Sequence, residues 1–470
     1  MNRFFKKDSF PLWLGALFAF ACILYFDTFS HEFSYDDFHA VAENQKIHDP
    51  DNLKALISPR DYFPVSSETT YRPMVTLVYF LEAFFFGVNP FGYHAVNIFL
   101  HACCGLGLAW VGRKLGLSDL RAILAGALFL AHPAAAEAVN AVGFLEDILA
   151  LFFLLLSMSV GLSDRRPRGI QSLACSAAYL VALLSKEVAI LFPVALVILV
   201  REKGWDRRSL ILLALSMGSA LALYLSLRFF IFRPPIEPVL QPLRLPFKET
   251  LFTMSAVMLN YIRLFFVPVG LSVAHAVEIR SHLSVRTILT ILTLAGFFIL
   301  FLKSRVSLVR WGGLWCLLFI LPVAQIVPVS HFSSERFLYV PLAGACGALV
   351  FAWDAQFSGP GFLNRRIPWV MVLILAGLTL LRNPAWRTHE SLFEDALRKN
   401  PRNMIAFNYL ASAALRKERY ELAEVYVLRA LELKPECFPC LVNLAHIYNA
   451  TGRQVEANEL MEDLAKRGPR

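Results

Sequence analysis

Charge is what this sequence has least of. Only 17% of its 470 residues are Asp, Glu, Lys or Arg, against about 25% in soluble domains, and 57% are hydrophobic. The shortage excludes an ordinary soluble enzyme: runs such as 211–232, 287–302 and 369–381 are too apolar to leave in water and, with their neighbours, long enough to span a bilayer. The formal charge of +9 does not point to nucleic acid, because the Lys and Arg residues fall mostly in short loops between apolar runs. A cleavage site is lacking as well. The first apolar run, 10–29, follows Arg3, Lys6 and Lys7, but no small-residue A-x-A pattern comes after it, so a retained anchor with its N-terminus inside is expected.

No His, Cys and Asp spacing fits a zinc site, one carboxylate pair does not establish a divalent metal site, and no other cofactor is expected. The eight cysteines are scattered. Cys22, Cys103, Cys104, Cys175, Cys316 and Cys346 lie in apolar runs and read as small hydrophobes. Cys437-Phe438-Pro439-Cys440 has no thioredoxin-like pattern around it; it reads as packing, with a local disulfide as the alternative in an oxidising compartment.

What is present is a topology signal. The clusters Arg113/Lys114/Arg121, Arg165/Arg166/Arg168, Arg201/Lys203/Arg207/Arg208, Lys303/Arg305/Arg310 and Arg365/Arg366 are expected to face the cytoplasm together with the N-terminus. They do so only if 73–86 and 251–267 lie along or dip into the outer membrane face. Eleven crossings then remain, near 11–30, 93–112, 120–136, 143–162, 170–185, 188–200, 209–232, 286–302, 311–330, 337–353 and 367–382, with the C-terminus outside.

The last 80 or so residues repeat with a fixed period. Pro401 recurs at Pro435, Ala396 at Ala430, Leu410-Ala411 at Leu444-Ala445 and Ala423 at Ala457. A period of 34 with small residues where paired helices touch is the tetratricopeptide signature. It places a trailing helix at about 388–400 and repeats at about 404–437 and 438–470. So short an array buries its apolar face only against neighbours, and is expected to dock on the outer face of the membrane domain.

A further set of motifs occurs in order: Asp36-Asp37 opening a long first outer loop, Tyr71-Arg72-Pro73, Asn89-Pro90-Phe91-Gly92-Tyr93-His94, His132-Pro133 with Glu137-Ala138-Val139, Ser185-Lys186-Glu187, and Glu335-Arg336-Phe337-Leu338-Tyr339-Val340-Pro341, followed by the repeats. Together they resemble the transmembrane and tetratricopeptide-repeat O-mannosyltransferase family and its bacterial relatives, within the C-type glycosyltransferase fold. The family usually has Gly-Arg-x-Asp-Leu-Leu after the His-Pro segment; this chain reads Gly143-Phe144-Leu145-Glu146-Asp147-Ile148-Leu149. The resemblance implies inverting transfer of one sugar from a polyprenyl phosphate, without a metal.

Such a transfer needs a base for the acceptor hydroxyl and cations for the departing phosphate. Asp36 and Asp37 are the candidate catalytic residues, since adjacent like charges push one acidity toward neutrality; a loop turn or helix cap is the plainer reading. Lys186, Arg336 and Arg72 are the candidate phosphate ligands. Lys186 interrupts an apolar run too short for two full crossings, so it is expected to lie recessed, unless a carboxylate neighbour simply neutralises it. Arg336 and Arg72 suit a bidentate grip on phosphate, or else anchor at the interface. His132, Glu137, Glu146, Asp147, Glu187, Glu335 and His94 complete the expected cavity, although His94, Asn97 and His101 share one helix face and also suit an interhelical hydrogen-bond stripe.

The expected fold class is therefore all-α: a polytopic membrane glycosyltransferase domain over 1–385, with its first outer loop at 31–92, then tetratricopeptide α-hairpins over 386–470 on the outer side. The expected function is transfer of a single sugar, mannose as the leading case, from a polyprenyl-phosphate donor to an outer-side acceptor, Ser or Thr of a protein recruited by the repeats. A non-catalytic membrane scaffold for envelope assembly is the rival. The expected location is a bacterial plasma membrane with site and repeats facing the periplasm, or else the endoplasmic reticulum with both facing the lumen. The expected partners are the lipid-linked donor, the acceptor and membrane lipid, with no nucleic acid.

Overall fold

The computed structural model describes residues 9–163, 167–234, 245–326, 328–329, 331–357 and 362–467. Arg3, Lys6, Lys7, Arg165 and Arg166, which enter the topology argument, lie outside the described residues. Among those described, every regular element is helical. Each of the eleven expected crossings contains a helix: α1 (Phe10–Leu24), α2 (Pro90–Leu115), α3 (Asp119–Ala131), α4 (Leu145–Gly161), α5 (Arg168–Ser185), α6 (Phe192–Glu202), α7 (Arg207–Ser226), α8 (Val285–Lys303), α9 (Ser307–Ile320), α10 (Tyr339–Gln356) and α11 (Phe362–Arg382). Local chemistry sets their ends. The Asn89 side chain accepts from the Phe91 N–H, Pro90 opens α2, and Gly116 closes it in the left-handed region.

By length and composition six helices among the described residues are apolar enough to cross a membrane, or seven if the pair Asp119–Ala131 and Pro133–Asn140, bent by 55°, is one span. Phe10–Leu24, Pro73–Phe86 and Ser307–Val323 are shorter apolar helices. The chain is thus an all-helical, multi-pass membrane protein. Its peripheral spans confirm the solvent they need: the apolar stretches of Arg207–Ile231 and Val285–Lys303 are only 17% and 11% buried within the protein, an exposure that water penalises and lipid does not. With lipid on that side, helices hold together by close packing. A Cβ added at Gly126 of α3 would stand 2.5 Å from the Gly105 carbonyl oxygen of α2, so the two backbones meet there because residue 126 lacks a side chain, while the space beside Gly105 is taken by the Leu130 side chain.

The helix ends sort into two poles. At one, Asn383 after α11 donates to the Leu24 carbonyl at the end of α1 and accepts from Asn140, which in turn accepts from Thr28; the acidic and basic motif residues gather at the same pole. At the other, Arg121 pairs with Asp354 at 3.3 Å, Arg113 with Asp119 at 2.9 Å, and Lys203 donates to the Leu115 carbonyl. Arg113, Arg121 and Lys203, from the expected cytoplasmic clusters, therefore lie at the end of the bundle opposite the motif residues.

Helices α12 (His389–Lys399), α13 (Met404–Arg416), α14 (Tyr420–Leu433), α15 (Phe438–Ala450) and α16 (Gln454–Arg467) make up the C-terminal segment. They sit against the motif pole through a shared cluster of Tyr35, Phe144 and Trp386 with Leu392, Phe393, Ala406 and Leu410. Burying each large side chain there contributes about 1.5–3 kcal/mol. Cys437 and Cys440 are joined in a disulfide at the start of α15, where the sequence favours packing alone; the other six cysteines are free.

If eleven helices cross, a reporter fused after Arg470 and one inserted within 34–72 should both read as outside, and one within 201–208 as inside. A cytoplasmic C-terminus in that assay would make Phe247–Phe266 a crossing instead of an interfacial helix.

Candidate active site

A cavity of about 820 Å³ opens at the motif pole. The first outer loop, the start of α4, the turn between α5 and α6, the end of α7 and the turn before α10 enclose it. Of the expected site residues it brings together Asp36, Arg72, Glu146, Lys186, Glu187 and Arg336, and it adds Glu68, Arg228, His39 and His331. The first group comes from five separate stretches of chain.

The two adjacent aspartates face different ways. Asp36 lines the cavity, its side chain 44% accessible, with a carboxylate oxygen 4.0 Å from the Arg336 guanidinium. Partial burial raises its pKa above the usual carboxylate value, opposed by Arg336. Asp37 is fully buried: its oxygens accept from the Ser34 N–H at 2.9 Å and the Gly143 N–H at 2.6 Å. Burial pushes its pKa up to about 7 against the pull of those backbone bonds, yet it has no face on the cavity. Reach precedes acidity in a base, and of the pair only Asp36 is placed to reach a group in the cavity. Gly143 permits the contact. A Cβ there would stand 3.2 Å from the Asp36 backbone carbon and 3.3 Å from the Asp37 nitrogen. Tyr35, just before the pair, has φ +54°, a left-handed conformation that a bulky side chain adopts only where its surroundings impose it.

The cations differ in how far they are committed. Arg72 grips Glu187 at 3.0 Å and reaches Glu146 at 3.4 Å and Glu68 at 3.7 Å. Burial raises the Glu68 pKa to about 7, with Arg72 opposing. Lys186 is buried, 2.5 Å from Asp147 and 3.5 Å from Glu146, so the self-neutralising pair considered for this lysine is present, and Asp147 stands behind it outside the cavity lining. Arg228 contacts Glu187 at 3.4 Å and donates to the Tyr224 hydroxyl at 2.6 Å. Arg336 is the least engaged. Its carboxylate neighbours Glu137 and Asp36 stand 3.8 and 4.0 Å away, and its buried Nε has no hydrogen-bond partner. Its guanidinium lies 3.6 Å from the centre of the Phe144 ring, a cation–π contact made by the residue that departs from the family's usual Arg.

Four expected site residues form framework instead. Glu137 accepts from the Ser334 hydroxyl at 2.5 Å and the Glu335 N–H at 2.8 Å, holding the turn that carries Arg336. Glu335 accepts from the Ser272 N–H and, at 2.9 Å, from His275. His132 donates from Nε2 to the Phe265 carbonyl and accepts the Ala134 N–H at Nδ1. His94 is buried in α2 with its ring 6.0 Å from that of His31. Among the described residues no group of three or more His, Cys, Asp or Glu side chains is disposed to hold a metal ion. Arg228, Glu68 and His331 carry no motif, and only the fold reveals them.

Comparison with known proteins agrees with the motif order. No family model and no solved structure matches the chain. It is 25% identical to protein O-mannosyl-transferase TMTC3 of Homo sapiens over 91% of this chain and 52% of that protein, and 23% identical to the Drosophila melanogaster Tmtc3 over 93% of this chain and 57% of that one. A shorter stretch, 32% of the chain, is 34% identical to Homo sapiens TMTC2. The chain spans about half the length of the curated relatives that it matches along nearly its whole extent. The resemblance carried by the ordered motifs thus extends through the membrane helices and into the repeats: along nearly its whole length this chain is similar to the TMTC protein O-mannosyl-transferases.

Proposed function

We propose that this chain is a membrane mannosyltransferase that moves one sugar from a polyprenyl-phosphate donor to a Ser or Thr hydroxyl of a protein on the outer side of the membrane. The observation that carries the reading is Asp36 and Arg336 side by side on the wall of the large cavity, 4.0 Å apart: an accessible carboxylate beside the least committed cation. Asp36 takes the proton of the acceptor hydroxyl as that oxygen bonds to the anomeric carbon. The bond from that carbon to phosphate breaks on the opposite face, and its electron pair leaves with the lipid phosphate. Arg336 meets the charge gained there, with Lys186, Arg72 and Arg228 shaping the field around it. The names of the relatives support mannose and a protein acceptor. The Cys437–Cys440 disulfide supports repeats in a non-reducing compartment, with a bacterial periplasm as our preferred assignment.

Asp36→Asn is expected to lower sugar transfer about a hundredfold or more with an unchanged melting temperature. Asp37→Asn replaces one buried acceptor with an NH2 group facing a backbone N–H, and should cost about 1–3 kcal/mol of stability, measured by thermal unfolding in detergent. Full activity in both variants would leave the pair a purely structural turn.

Activity should also report the acidity of Asp36. The ionised form is the base, so the rate rises with pH through its pKa; because burial raises that value, the acid limb should lie above the ordinary Asp value of about 3.9. Removing the cation that opposes the shift, with Arg336→Gln, should move the residual limb of kcat/KM to higher pH. Arg336→Ala should weaken donor binding by about 1.5–3 kcal/mol, and Arg336→Lys should also be impaired, since an ammonium lacks the planar fork. Mass spectrometry of envelope glycoproteins from cells with and without the chain tests the function itself; an unchanged glycan inventory favours the scaffold.

A further inference from the structure

The loop that carries Asp36 is finished by the repeat segment. His389, the first residue of α12, is buried and accepts the Tyr35 backbone N–H at Nδ1, 3.1 Å away. Its other nitrogen donates to the Tyr409 carbonyl of α13 at 3.2 Å, which fixes the tautomer that Tyr35 needs. Burial lowers the His389 pKa to about 4, with Arg416 acting in the same direction, so the ring is neutral near pH 7 and Nδ1 remains an acceptor. The Tyr35 ring is enclosed by Phe144, Phe393 and Tyr409 at 5.7, 5.7 and 5.2 Å, with Phe393 and Tyr409 themselves stacked. On the far side of Asp36, Phe38 lies edge-on to the His389 ring and beneath the Arg416 guanidinium, 4.2 Å away.

The same two helices reach the opposite wall of the site. Lys399 donates to the Leu271 carbonyl at 2.5 Å and Asn403 to the Ala274 carbonyl at 2.7 Å. Between those anchors Ser272, with His275 just beyond, holds Glu335, the neighbour of Arg336. One helical hairpin therefore braces both the loop bearing the base and the turn bearing the cation. Ordinary domain docking would not need to grip the backbone N–H of the residue next to Asp36, nor hold that residue in a left-handed conformation.

We propose that α12 and α13 are a structural part of the catalytic site, with His389 and Tyr409 as positioning residues that hold Tyr35 so that Asp36 faces Arg336. The consequence for catalysis rests on the reading of Asp36 as the base. The repeats then do more than recruit an acceptor: their first hairpin completes the enzyme.

The test uses the full-length protein in detergent or nanodiscs and two readouts. Hydrogen–deuterium exchange of the 33–38 segment, which needs no substrate, should lose protection at least tenfold in His389→Ala. It should recover in His389→Asn, whose side-chain oxygen can occupy the Nδ1 position. Sugar transfer should follow the same order, with kcat in His389→Ala down roughly tenfold to a hundredfold, as small misplacements of a reacting group cost, and KM for the donor little changed. Tyr409→Phe, which keeps the stack, serves if His389→Ala does not fold; it should retain wild-type protection of the segment, whereas Tyr409→Ala should not. Arg429→Ala, on the exposed face of α14, is the control and should change neither readout. Unchanged exchange of 33–38 in His389→Ala, or equal effects of Ala and Asn at this position, overturns the proposal. Absence of sugar transfer in the wild type overturns the function instead, and leaves the exchange result to decide whether the hairpin holds the loop.

Discussion

Asp37 is an acidic side chain without access to water, and two backbone N–H groups more than a hundred residues apart, those of Ser34 and Gly143, close on its oxygens. That clasp ties the first outer loop to the start of α4. The absence of a side chain at residue 143 leaves room for it, since a Cβ there would press on the Asp36–Asp37 backbone at 3.2–3.3 Å. The residues on either side follow from it. Asp36 is turned into the cavity, Tyr35 is pressed onto the repeats, and Phe144 is left where its ring can lie against Arg336. The same outer loop is tied to this region twice more, by the Tyr79 hydroxyl on the Val142 carbonyl and by Arg72 on Glu146.

Around the cavity the same rule recurs: a charge is buried only with a partner. Glu137 and Glu335 satisfy backbone N–H groups and so shape the turn before α10. Glu146, Asp147 and Glu187 neutralise Lys186 and Arg72. Breaking one such pair strands the other charge in a low-dielectric setting, at a cost of about 3–5 kcal/mol. The acidic residues here are thus divided between those that build walls and those that face the space between them, a division set by direction and not by residue type.

That division explains what could be read in advance. The spacing of apolar runs and basic loops located the helices, and the 34-residue period located the repeat helices, because both are local patterns. The membership of the cavity was partly legible, through Asp36, Arg72, Lys186 and Arg336. Their roles were not, since adjacent residues in a turn point in opposite directions and a motif records only that both are present. Arg228 sits in an apolar run and resembles an interfacial anchor; Glu68 sits among Ser and Thr in a loop; neither has a neighbour in sequence that betrays its partners, Glu187 and Arg72. His389 meets Tyr35 across 354 positions. His132 and His94 look chemical in a list of residues and are framework once their surroundings are known.

The residues lining the cavity include four carboxylates, Asp36, Glu68, Glu146 and Glu187, and four cations, Arg72, Lys186, Arg228 and Arg336. Counted fully ionised these charges balance, and with Glu68 only partly ionised near pH 7 the positive excess is small, so little potential extends into solution to draw an anion from a distance. A lipid-borne phosphate would then reach the site by lateral diffusion, and its encounter rate would follow the viscosity of the bilayer far more closely than the ionic strength of the medium.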